Sequence, residues 1–441
     1  MPNLSSSLHP HERIAQREAV APTTPSAVAG QGSRGLGVPA VLKGKGPSDI
    51  AIEMQCDLAA AAVEWKIFER FADCTPFQTF GWLEQWQQHV GMRRGAVPVI
   101  VFGRDEKGAI LFILPLAIES QGKLRRLTWL GVDLGDYNAP LLSLRFFQHP
   151  AAENFPAVWK YIVALVRSDM RFRFDLVDLP KMPEMVGAQK NPFMALGVMP
   201  NRSGAYVATL GDNWESYYEA ARSSSTRRTA RRKFKQLEAY GAVRFVDEMD
   251  VEASVQTLDT LIVQKSVAFE RMGVENIFER PGYAEFYRAI AGDPDLRDLV
   301  HVSRLEIGSM TGATNMALQF RGRYYLILSS YHAGEVSRFG PGTAHLHELL
   351  RRSIDRGFRY FDFTIGDEPY KRDWADGKLL LYDHLAARTL RGWPVAFWVK
   401  LLRRVVRFIK QTPVLWRLVV KARAWKARQT QTVPLASEAA D

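Results

Sequence analysis

Runs of apolar residues divide the middle of the chain into two similar series of predicted strands. The strand patterns fall at residues 97–102, 110–118 and 127–130 in the first series, and at 299–307, 314–320 and 324–331 in the second. Residues 321–323, Arg-Gly-Arg, predict a tight turn that joins the last two strands into a hairpin. Both series are typical of neighbouring strands in an antiparallel sheet.

Each series continues with a helical pattern and one further strand. In the first half, residues 158–166 precede the segment RFRFDLVDLP, and in the second half a helix with Leu346 and Leu350 precedes RYFDFTIGDEP. Both final strands join an aromatic residue to an aspartate and end in an acidic turn, which indicates either two tandem copies of one plan or a chance match of short segments. The predicted fold class is α+β, with two halves that are each a mixed, mostly antiparallel sheet flanked by helices.

Composition sets the outer boundaries of this arrangement. Pro, Gly and Ser each occur six times among residues 1–50, where apolar periodicity is lacking, so we expect a disordered leader there. We place the two halves at 51–203 and 204–391, a basic helical tail at 392–430 and a disordered end at 431–441. A chain of 441 residues with 47% hydrophobic composition is also too long for one small core.

The net charge of +11 comes from the tail. Twelve of the 58 Lys and Arg residues lie in 388–428, which has no Asp or Glu, and the other 46 nearly balance the 47 acidic residues. On a helix, the apolar and cationic residues of this segment fall on different sides, with Trp398, Leu401, Leu402, Val405, Phe408 and Ile409 on one side and Lys400, Arg403, Arg404, Arg407 and Lys410 on the other. This pattern predicts a basic amphipathic helix.

Three surfaces are candidates for contact with this tail. An anionic membrane surface suits the cations and tryptophans of residues 395–428. Alternatively, the apolar side of the helix docks on the rest of the protein. Nucleic acid is the least favoured partner, because the sequence has neither a stacking platform nor a recognition motif.

Localisation and metal chemistry follow from what the sequence lacks. Neither a secretion signal nor an apolar run of the roughly 18 residues that span a bilayer is present, so we expect a cytoplasmic protein, peripheral at most at the inner face of the membrane. Cys56 and Cys74 are expected to be buried fillers. His345 and His347 are two apart on a predicted helix and point in different directions, so we expect no metal.

The segment FDFTIGDEPYKRDW at residues 361–374 is the strongest candidate for chemistry. A buried strand runs there directly into acids, a tyrosine and a lysine, and functional groups concentrate at such strand ends. Upstream, a glycine turn at residues 340–343 opens a predicted helix. The order of glycine turn, helix, strand and charged end suits an enzyme that holds a phosphate-bearing cofactor.

Four segments in this order resemble the CelD-like acetyltransferases of the GNAT superfamily. They are TPFQTFGWLEQWQQHVG, LPLAIES with LRRLTWLGVDLGDYNAPLL, SSSTRRTARRKFKQLEAYGAVRF and FDFTIGDEPYKRDW. The resemblance covers roughly residues 55–390 and extends to the FemAB-type aminoacyl transferases, which are also built from two GNAT-like halves. It implies acyl transfer from acetyl-coenzyme A or another acyl-coenzyme A, often connected with exopolysaccharide or other envelope synthesis.

The resemblance also implies a cofactor site at the glycine turn. Its candidate residues are Arg338, Gly340, Gly342 and Thr343, since backbone N–H groups at a helix start hold pyrophosphate well. GNAT enzymes have Gln or Arg three positions before the first glycine of this loop, where this sequence has Ser337, and a turn without a ligand is the alternative. The thioester carbonyl would be held by the backbone of a splayed strand at residues 325–330.

The catalytic candidates are Asp367, Glu368, Tyr370 and Lys371. Either carboxylate could accept the proton of the nucleophile, Tyr370 could protonate the thiolate, and Lys371 could pair with phosphate or developing negative charge. We favour Glu368 and Lys371 as functional residues, in either catalysis or binding. The alternative is a surface turn in which the acids form salt bridges with Lys371 and Arg372.

Six residues are candidates for binding the acceptor: Asp136, Tyr137, Arg228, Arg231, Arg232 and His332. The first two lie in a Gly-rich loop that either lines a cleft between the halves or forms a plain turn. The arginines belong to a basic helix with Thr226 as its predicted N-cap. That helix is either a solvated surface or a clamp for phosphates of the acceptor or cofactor. His332 ends a strand and could reach the cleft.

These observations leave three functional hypotheses. The leading one is an acyltransferase that transfers an acyl group, expected to be acetyl, from acyl-coenzyme A directly to an amine or hydroxyl of an envelope or exopolysaccharide precursor, which could be a small molecule or linked to glycan or lipid. The second is a non-catalytic GNAT-like scaffold that binds membrane or a synthase. The third is a FemAB-like transferase that uses aminoacyl-tRNA, which the nearly neutral body makes less favoured.

Overall fold

The structure is a computed structural model that describes residues 41–247 and 249–412. The predicted disordered end at 431–441 and most of the predicted leader therefore lie outside the described residues. Within the predicted leader, residues 42–45 form a strand that pairs with residues 51–54. The expectation of disorder up to residue 50 is thus wrong for its last part, because these backbone groups find partners at the edge of a sheet.

The first half is a sheet covered by helices. Its strands are β1 (Leu42–Lys45), β2 (Ala51–Gln55), β3 (Val97–Arg104), β4 (Ile110–Gln121), β5 (Leu124–Trp129), β6 (Leu141–Leu142), β7 (Leu176–Pro183), β8 (Met185–Val186), β9 (Gln189–Lys190) and β10 (Val198–Pro200). Its helices are α1 (Leu58–Glu69), α2 (Phe80–Trp86), α3 (Pro150–Glu153) and α4 (Phe155–Ser168). Strands β8 and β9 form a separate small hairpin.

The second half repeats this construction. Its strands are β11 (Ala205–Thr209), β12 (Val243–Val246), β13 (Val300–Ile307), β14 (Met310–Phe320), β15 (Arg323–Tyr331), β16 (Tyr360–Ile365) and β17 (Gly377–Leu379). One more strand, β18 (Leu381–Ala387), follows in sequence. The helices are α5 (Trp214–Ala221), α6 (Ser224–Glu238), α7 (Val251–Met272), α8 (Tyr283–Gly292), α9 (Pro341–Asp355), α10 (Pro369–Trp374) and α11 (Gly392–Gln411).

Strand order confirms the predicted α+β class. The second sheet runs β12-β13-β14-β15-β16-β11-β17, and the first runs β1-β2-β3-β4-β5-β7-β18-β10, with β6 on β4. Each sheet has one parallel pair, β5 with β7 and β15 with β16, and in each case a helix lies between the paired strands in sequence. This matches the two tandem copies that the repeated aromatic-aspartate strands predict.

The turn between β14 and β15 forms as the Arg-Gly-Arg sequence predicts. Arg321 and Gly322 have φ values of 49° and 71°, the positive values that a two-residue hairpin turn requires. A non-glycine residue tolerates this conformation here because the Arg321 guanidinium donates hydrogen bonds to the carbonyls of Ala72 and Glu69, each at 2.5 Å. The hairpin of the second half is thereby attached to α1 of the first.

One strand crosses between the halves. β18 pairs antiparallel with β7 and with β10, so residues 381–387 belong to the first sheet although they follow the second half in sequence. This placement departs from the predicted second half at 204–391. Sequence order alone could not indicate it, because the partners of β18 lie about 200 residues upstream.

The two halves share one apolar core. Trp82 of α2 meets Phe286 of α8 edge to face, with ring centroids 4.9 Å apart, and Phe77 meets Tyr325 of β15 at 6.1 Å. All four side chains are buried. Because the same cluster joins residues of both sheets, neither half could unfold without exposing part of the core of the other.

We expect replacement of Phe286 by alanine to lower the free energy of unfolding by about 3–5 kcal/mol, because the buried ring leaves a cavity in this shared core. Urea unfolding followed by circular dichroism measures the loss and should show one transition for both halves. Phe71→Ala, at a side chain that is 72% exposed, is the control and should change stability by less than about 0.5 kcal/mol. Two separate transitions would contradict the shared core.

Candidate functional site

The candidate site lies where β15 separates from β16. The two strands pair only at residues 323–325 of β15, opposite residues 360–362 of β16, and then diverge. Within β15, Leu326 and Leu328 pair with adjacent residues of β14, so Ile327 between them is the extra residue of a bulge. A gap therefore opens beside residues 326–331, at the splayed strand that the sequence predicts.

A helix begins at the end of this gap. Gly340 has a φ of 70°, and its carbonyl accepts hydrogen bonds from the N–H groups of Thr343 and Ala344 at 3.0 and 3.1 Å. Pro341 is the first residue of α9, a position that suits its fixed φ. The start of this helix is the positive end of its dipole and favours an anion.

Gly342 allows close packing at the same place. A Cβ atom on Gly342 would lie 3.1 Å from a ring carbon of Tyr331 at the end of β15. A larger side chain would therefore push the helix away from the strand.

A cavity of about 410 Å³ lies between the start of α9 and the basic helix α6. Its lining combines aromatic and cationic side chains with the glycine turn, and includes Trp214, Tyr218, Phe234, Phe339, Arg231, Lys233, Lys235, Gly340 and Thr343. The structure thus brings together three predicted site residues, Gly340 and Thr343 from the turn and Arg231 from α6. Aromatic faces and cations together suit a nucleotide with phosphates.

Other predicted residues of this region lie outside the cavity lining. Arg228 and Arg232 are exposed on α6. The Arg338 guanidinium lies over the ring of Phe339 at 4.7 Å and is 3.4 Å from the hydroxyl of Tyr240. For Arg228 and Arg232, exposure to solvent on the surface of α6 is enough to explain why the residues are charged.

The cap of α6 differs from the prediction. Ser223, not Thr226, is the N-cap, and its hydroxyl accepts a hydrogen bond from the N–H of Thr226 at 3.3 Å. The helix starts three residues earlier than the prediction with Thr226 requires, because three consecutive serines offer equivalent capping groups.

A buried carboxylate sits at the point where β15 and β16 diverge. Asp362 is fully buried and accepts hydrogen bonds from the hydroxyl of Tyr137 at 2.6 Å, the Arg323 guanidinium at 3.1 Å and the N–H of Thr364 at 2.8 Å. Burial raises the pKa of Asp362, while Arg323 opposes this shift. Tyr137 is therefore committed to a contact between the halves, and the sequence analysis had not singled out Asp362.

Asp136, the neighbouring acceptor candidate, also contacts the second half. Burial raises its pKa, opposed by Lys181 and by a hydrogen bond to the side chain of Thr364. Burial likewise lowers the pKa of Lys181, whose ammonium donates a hydrogen bond of 2.5 Å to the carbonyl of Gly135. Thr364 has a φ of 56°, an uncommon value for a β-branched residue, which these hydrogen bonds hold in place.

The two favoured candidates, Glu368 and Lys371, form an ion pair at the open end of β16. The Lys371 ammonium lies 3.2 Å from a carboxylate oxygen of Glu368 and donates to the carbonyl of Ile365 at 2.8 Å. Lys371 is buried whereas Glu368 is more than half exposed, so the pair is neither a plain surface salt bridge nor a fully buried one. Asp367 is the adjacent, half-buried residue of the same turn.

Tyr370 and a lysine that the sequence analysis missed meet at the splayed part of β15. The Tyr370 side chain is hydrogen-bonded to that of Ser329, and burial raises its pKa. The Lys265 ammonium of α7 donates to the carbonyl of Ser329 at 3.1 Å. Burial lowers the pKa of Lys265, partly offset by the nearby charge of Glu368.

A signal for Lys265 is present in the sequence. The apolar side of α7 is formed at helical spacing by Leu258, Leu261 and Phe269, and Lys265 occupies a position in this series where an apolar residue would be expected. A lysine at such a position is a candidate for a buried functional amine.

The three histidines considered in the sequence analysis lie in different surroundings. The ring Nδ1 of His332 accepts the N–H of Gly334 at 3.0 Å in the loop after β15. His345 is buried against Ser303, and His347 lines the aromatic cavity. In residues 41–247 and 249–412, no group of three His, Cys, Asp or Glu side chains is arranged to hold a metal ion.

Comparisons with known proteins agree with this architecture. Residues 224–372 match a protein family described as an acetyltransferase (GNAT) domain. The match begins at the first residue of α6 and ends within α10, so it contains α6, α9, the diverging strands and all four catalytic candidates. No curated protein sequence matches the chain.

Among solved structures, the crystal structure of FemX has the same fold at 9% sequence identity and a TM-score of 0.51, over 76% of this chain and 97% of FemX. More distant similarity is found to a tandem GNAT protein from the clavulanic acid biosynthesis pathway (10% identity, TM-score 0.40, 75% and 94% of the two chains). The L-PGS of Bacillus licheniformis is similar at 13% identity and a TM-score of 0.42, over 73% and 96% of the two chains.

We expect Lys265→Met to change how stability depends on pH. Because folding lowers the pKa of Lys265, the unfolded chain binds more protons than the folded chain between the folded value and 10.5. Wild-type stability should therefore rise with pH through this window relative to the variant, by at most about 1.4 kcal/mol per pH unit. Urea unfolding of both proteins between pH 7 and pH 10 measures the difference.

Lys160→Met, at an exposed lysine of α4, is the matched control, and its difference from wild type should stay constant over the same range. A constant difference for Lys265→Met as well would contradict the lowered pKa.

Proposed function

We propose that this chain is an acyltransferase that moves an acyl group, expected to be acetyl, from acyl-coenzyme A directly to an amine or hydroxyl of an acceptor. The observation that carries the proposal is the divergence of β15 from β16, which opens a gap leading to the start of α9. The match of residues 224–372 to a GNAT acetyltransferase domain supports it, because such domains generally use an acyl-coenzyme A.

The cavity beside α9 suits the nucleotide part of this cosubstrate. Phe234, Phe339 and Tyr218 offer apolar faces for the adenine, and Arg231 offers a guanidinium for phosphate. The start of α9 adds its N–H groups and its dipole for the pyrophosphate. The gap between β15 and β16 would receive the pantetheine arm.

The residues around Ser329 suit the proton movements of direct transfer. The exposed carboxylate of Glu368 is available to accept the proton that the acceptor amine or hydroxyl loses as it attacks the thioester carbonyl. The Tyr370 phenol, whose side chain is hydrogen-bonded to that of Ser329, would give a proton to the departing thiolate. The ammonium of Lys371 would stabilise negative charge that develops on the carbonyl oxygen.

The acceptor is proposed from the resemblance to CelD-like acetyltransferases. It would be an exopolysaccharide or envelope precursor, either a small molecule or linked to glycan or lipid. Asp136 and Lys181 lie at the junction of the halves near Thr364, which is where an acceptor would approach Glu368.

The exposed cations of α6 favour a second candidate function. Arg228, Arg231 and Arg232 project from one helix whose surface is largely open, and FemAB-type proteins use aminoacyl-tRNA, a polyanion. A polyanion would contact exposed arginines whether or not they line the cavity. A non-catalytic scaffold remains the third candidate, and it predicts that neither donor loses its acyl or aminoacyl group to an acceptor.

Calorimetric titration of acetyl-coenzyme A into the full chain tests the proposal. We expect saturable binding that Arg231→Glu weakens by about tenfold or more, because the substitution removes a charge-assisted hydrogen bond and adds repulsion. Arg228→Glu makes the same charge change on the same helix, outside the cavity lining, and should leave affinity nearly unchanged. Absence of acetyl-coenzyme A binding to the wild-type chain would refute the proposal.

Titration of charged tRNA in parallel separates the two enzymatic candidates. Binding of tRNA that both substitutions weaken equally, together with no response to acetyl-coenzyme A, would favour the aminoacyl-tRNA reaction. If acetyl-coenzyme A binds, release of free thiol in the presence of amine and hydroxyl acceptors then distinguishes an enzyme from a scaffold.

A further inference from the structure

The last helix of the described chain, α11, exposes a continuous apolar surface. The large apolar residues of this surface, with their exposed fractions, are Trp393 (68%), Phe397 (60%), Trp398 (65%), Leu401 (39%), Leu402 (62%), Val405 (45%) and Phe408 (65%). We call these seven residues the outer face of α11. Scattered exposed apolar residues are ordinary on proteins, whereas a contiguous group of this size marks a surface that binds something.

The opposite side of α11 attaches the helix to the first half. Ala396 is buried against Leu176 and Leu385, where its small side chain permits close approach to β7 and β18. The Arg403 guanidinium reaches the buried carboxylates of Asp178 at 2.8 Å and Asp383 at 3.4 Å. Val395 and Val399 pack against the same cluster, so the helix docks through these smaller apolar residues and Arg403, and its larger apolar side chains stay exposed.

These ion pairs fix the orientation of the outer face. Asp178 lies on β7 and Asp383 on β18, and both carboxylates are buried, so Arg403 is held at two points of a rigid sheet. A buried pair of this kind is costly to break, because removal of one partner leaves a charge unpaired. The outer face is thus presented away from the protein by the fold itself.

Cationic residues along one edge of the outer face distinguish between two candidate partners, a second copy of the chain and an anionic surface. Lys400, Arg404 and Arg407 follow at helical spacing beside Phe397 and Phe408, and residues 388–428 contain no Asp or Glu. A second copy of the chain packed face to face would bring two such cationic edges together and repel. An anionic membrane surface would instead offer acyl chains to the apolar residues and anionic headgroups to the cations.

We propose that the outer face of α11 binds an anionic membrane surface, with the helix lying in the plane of the interface. Phe and Leu side chains would enter the acyl boundary, while Trp393 and Trp398 suit the headgroup level, where amphipathic rings concentrate. The neighbouring cations would pair with anionic headgroups. In the part of the chain that the structure describes, no helix has the length and hydrophobicity of a membrane span.

The binding surface is independent of the proposed acyltransferase chemistry. Its attachment through β7 and β18 would hold the first half next to the membrane, and the two halves share one core. A scaffold or an aminoacyl-tRNA transferase with this helix would bind the same surface.

Cosedimentation of the full chain with vesicles tests the proposal. We expect binding to vesicles of phosphatidylcholine with phosphatidylglycerol and much weaker binding to phosphatidylcholine alone. The combined variant Phe397→Ser, Trp398→Ser and Phe408→Ser should lose about tenfold or more in partitioning, because it removes three large apolar side chains. Arg404→Gln should weaken binding to anionic vesicles by about fivefold.

Phe71→Ser is the matched control, because Phe71 is 72% exposed but lies on the first half outside α11, and it should leave vesicle binding unchanged. The substituted side chains of α11 are at least 60% exposed, so the combined variant should fold, which its circular dichroism and unfolding midpoint establish.

Three results would overturn the proposal. The full chain could fail to bind anionic vesicles, or the combined variant could bind as well as wild type. Sedimentation of the chain without vesicles could also reveal a dimer that the combined variant dissociates, which would assign the outer face to a second copy.

Discussion

The carboxylate of Asp362 controls the geometry on which the rest of the candidate site depends. It lies where the parallel pairing of β15 and β16 ends, and its three hydrogen bonds come from one residue of the first half, one of β15 and one of β16 itself. A carboxyl group with no exposed surface depends on hydrogen-bond partners of this kind. The same network therefore joins the halves and holds the two strands together up to the point from which they separate.

Local features of the fold were predictable, whereas long-range pairings were not. The strand patterns and the Arg-Gly hairpin between β14 and β15 depend on neighbouring residues, and all are observed. The hydrogen bond of Tyr137 to Asp362 joins residues 225 positions apart, and the crossing of β18 into the first sheet is comparably distant. The residues next to Tyr137 or β18 in the sequence do not indicate which distant residue or strand each one contacts.

The candidate site illustrates the same division. Glycine-turn residues Gly340 and Thr343 and the basic residue Arg231 were recognisable by type, and they meet in one cavity. Lys265 was also recognisable, because a lysine interrupts the apolar side of α7, but its closeness to Glu368 and Ser329 depends on the packing of α7 against the splayed strand. Burial lowers the pKa of this amine, so its position matters to any proton transfer in the gap.

The return of β18 to the first sheet has a consequence for synthesis on the ribosome. β18 lies between β7 and β10, next to one edge of the first sheet, so this sheet lacks an interior strand until residues 381–387 have left the exit tunnel. Domains commonly fold in order from the N-terminus during translation, but this first half cannot complete its sheet in that order. Until then the edges of β7 and β10 are unpaired and could bind a chaperone or the corresponding strand of another nascent chain.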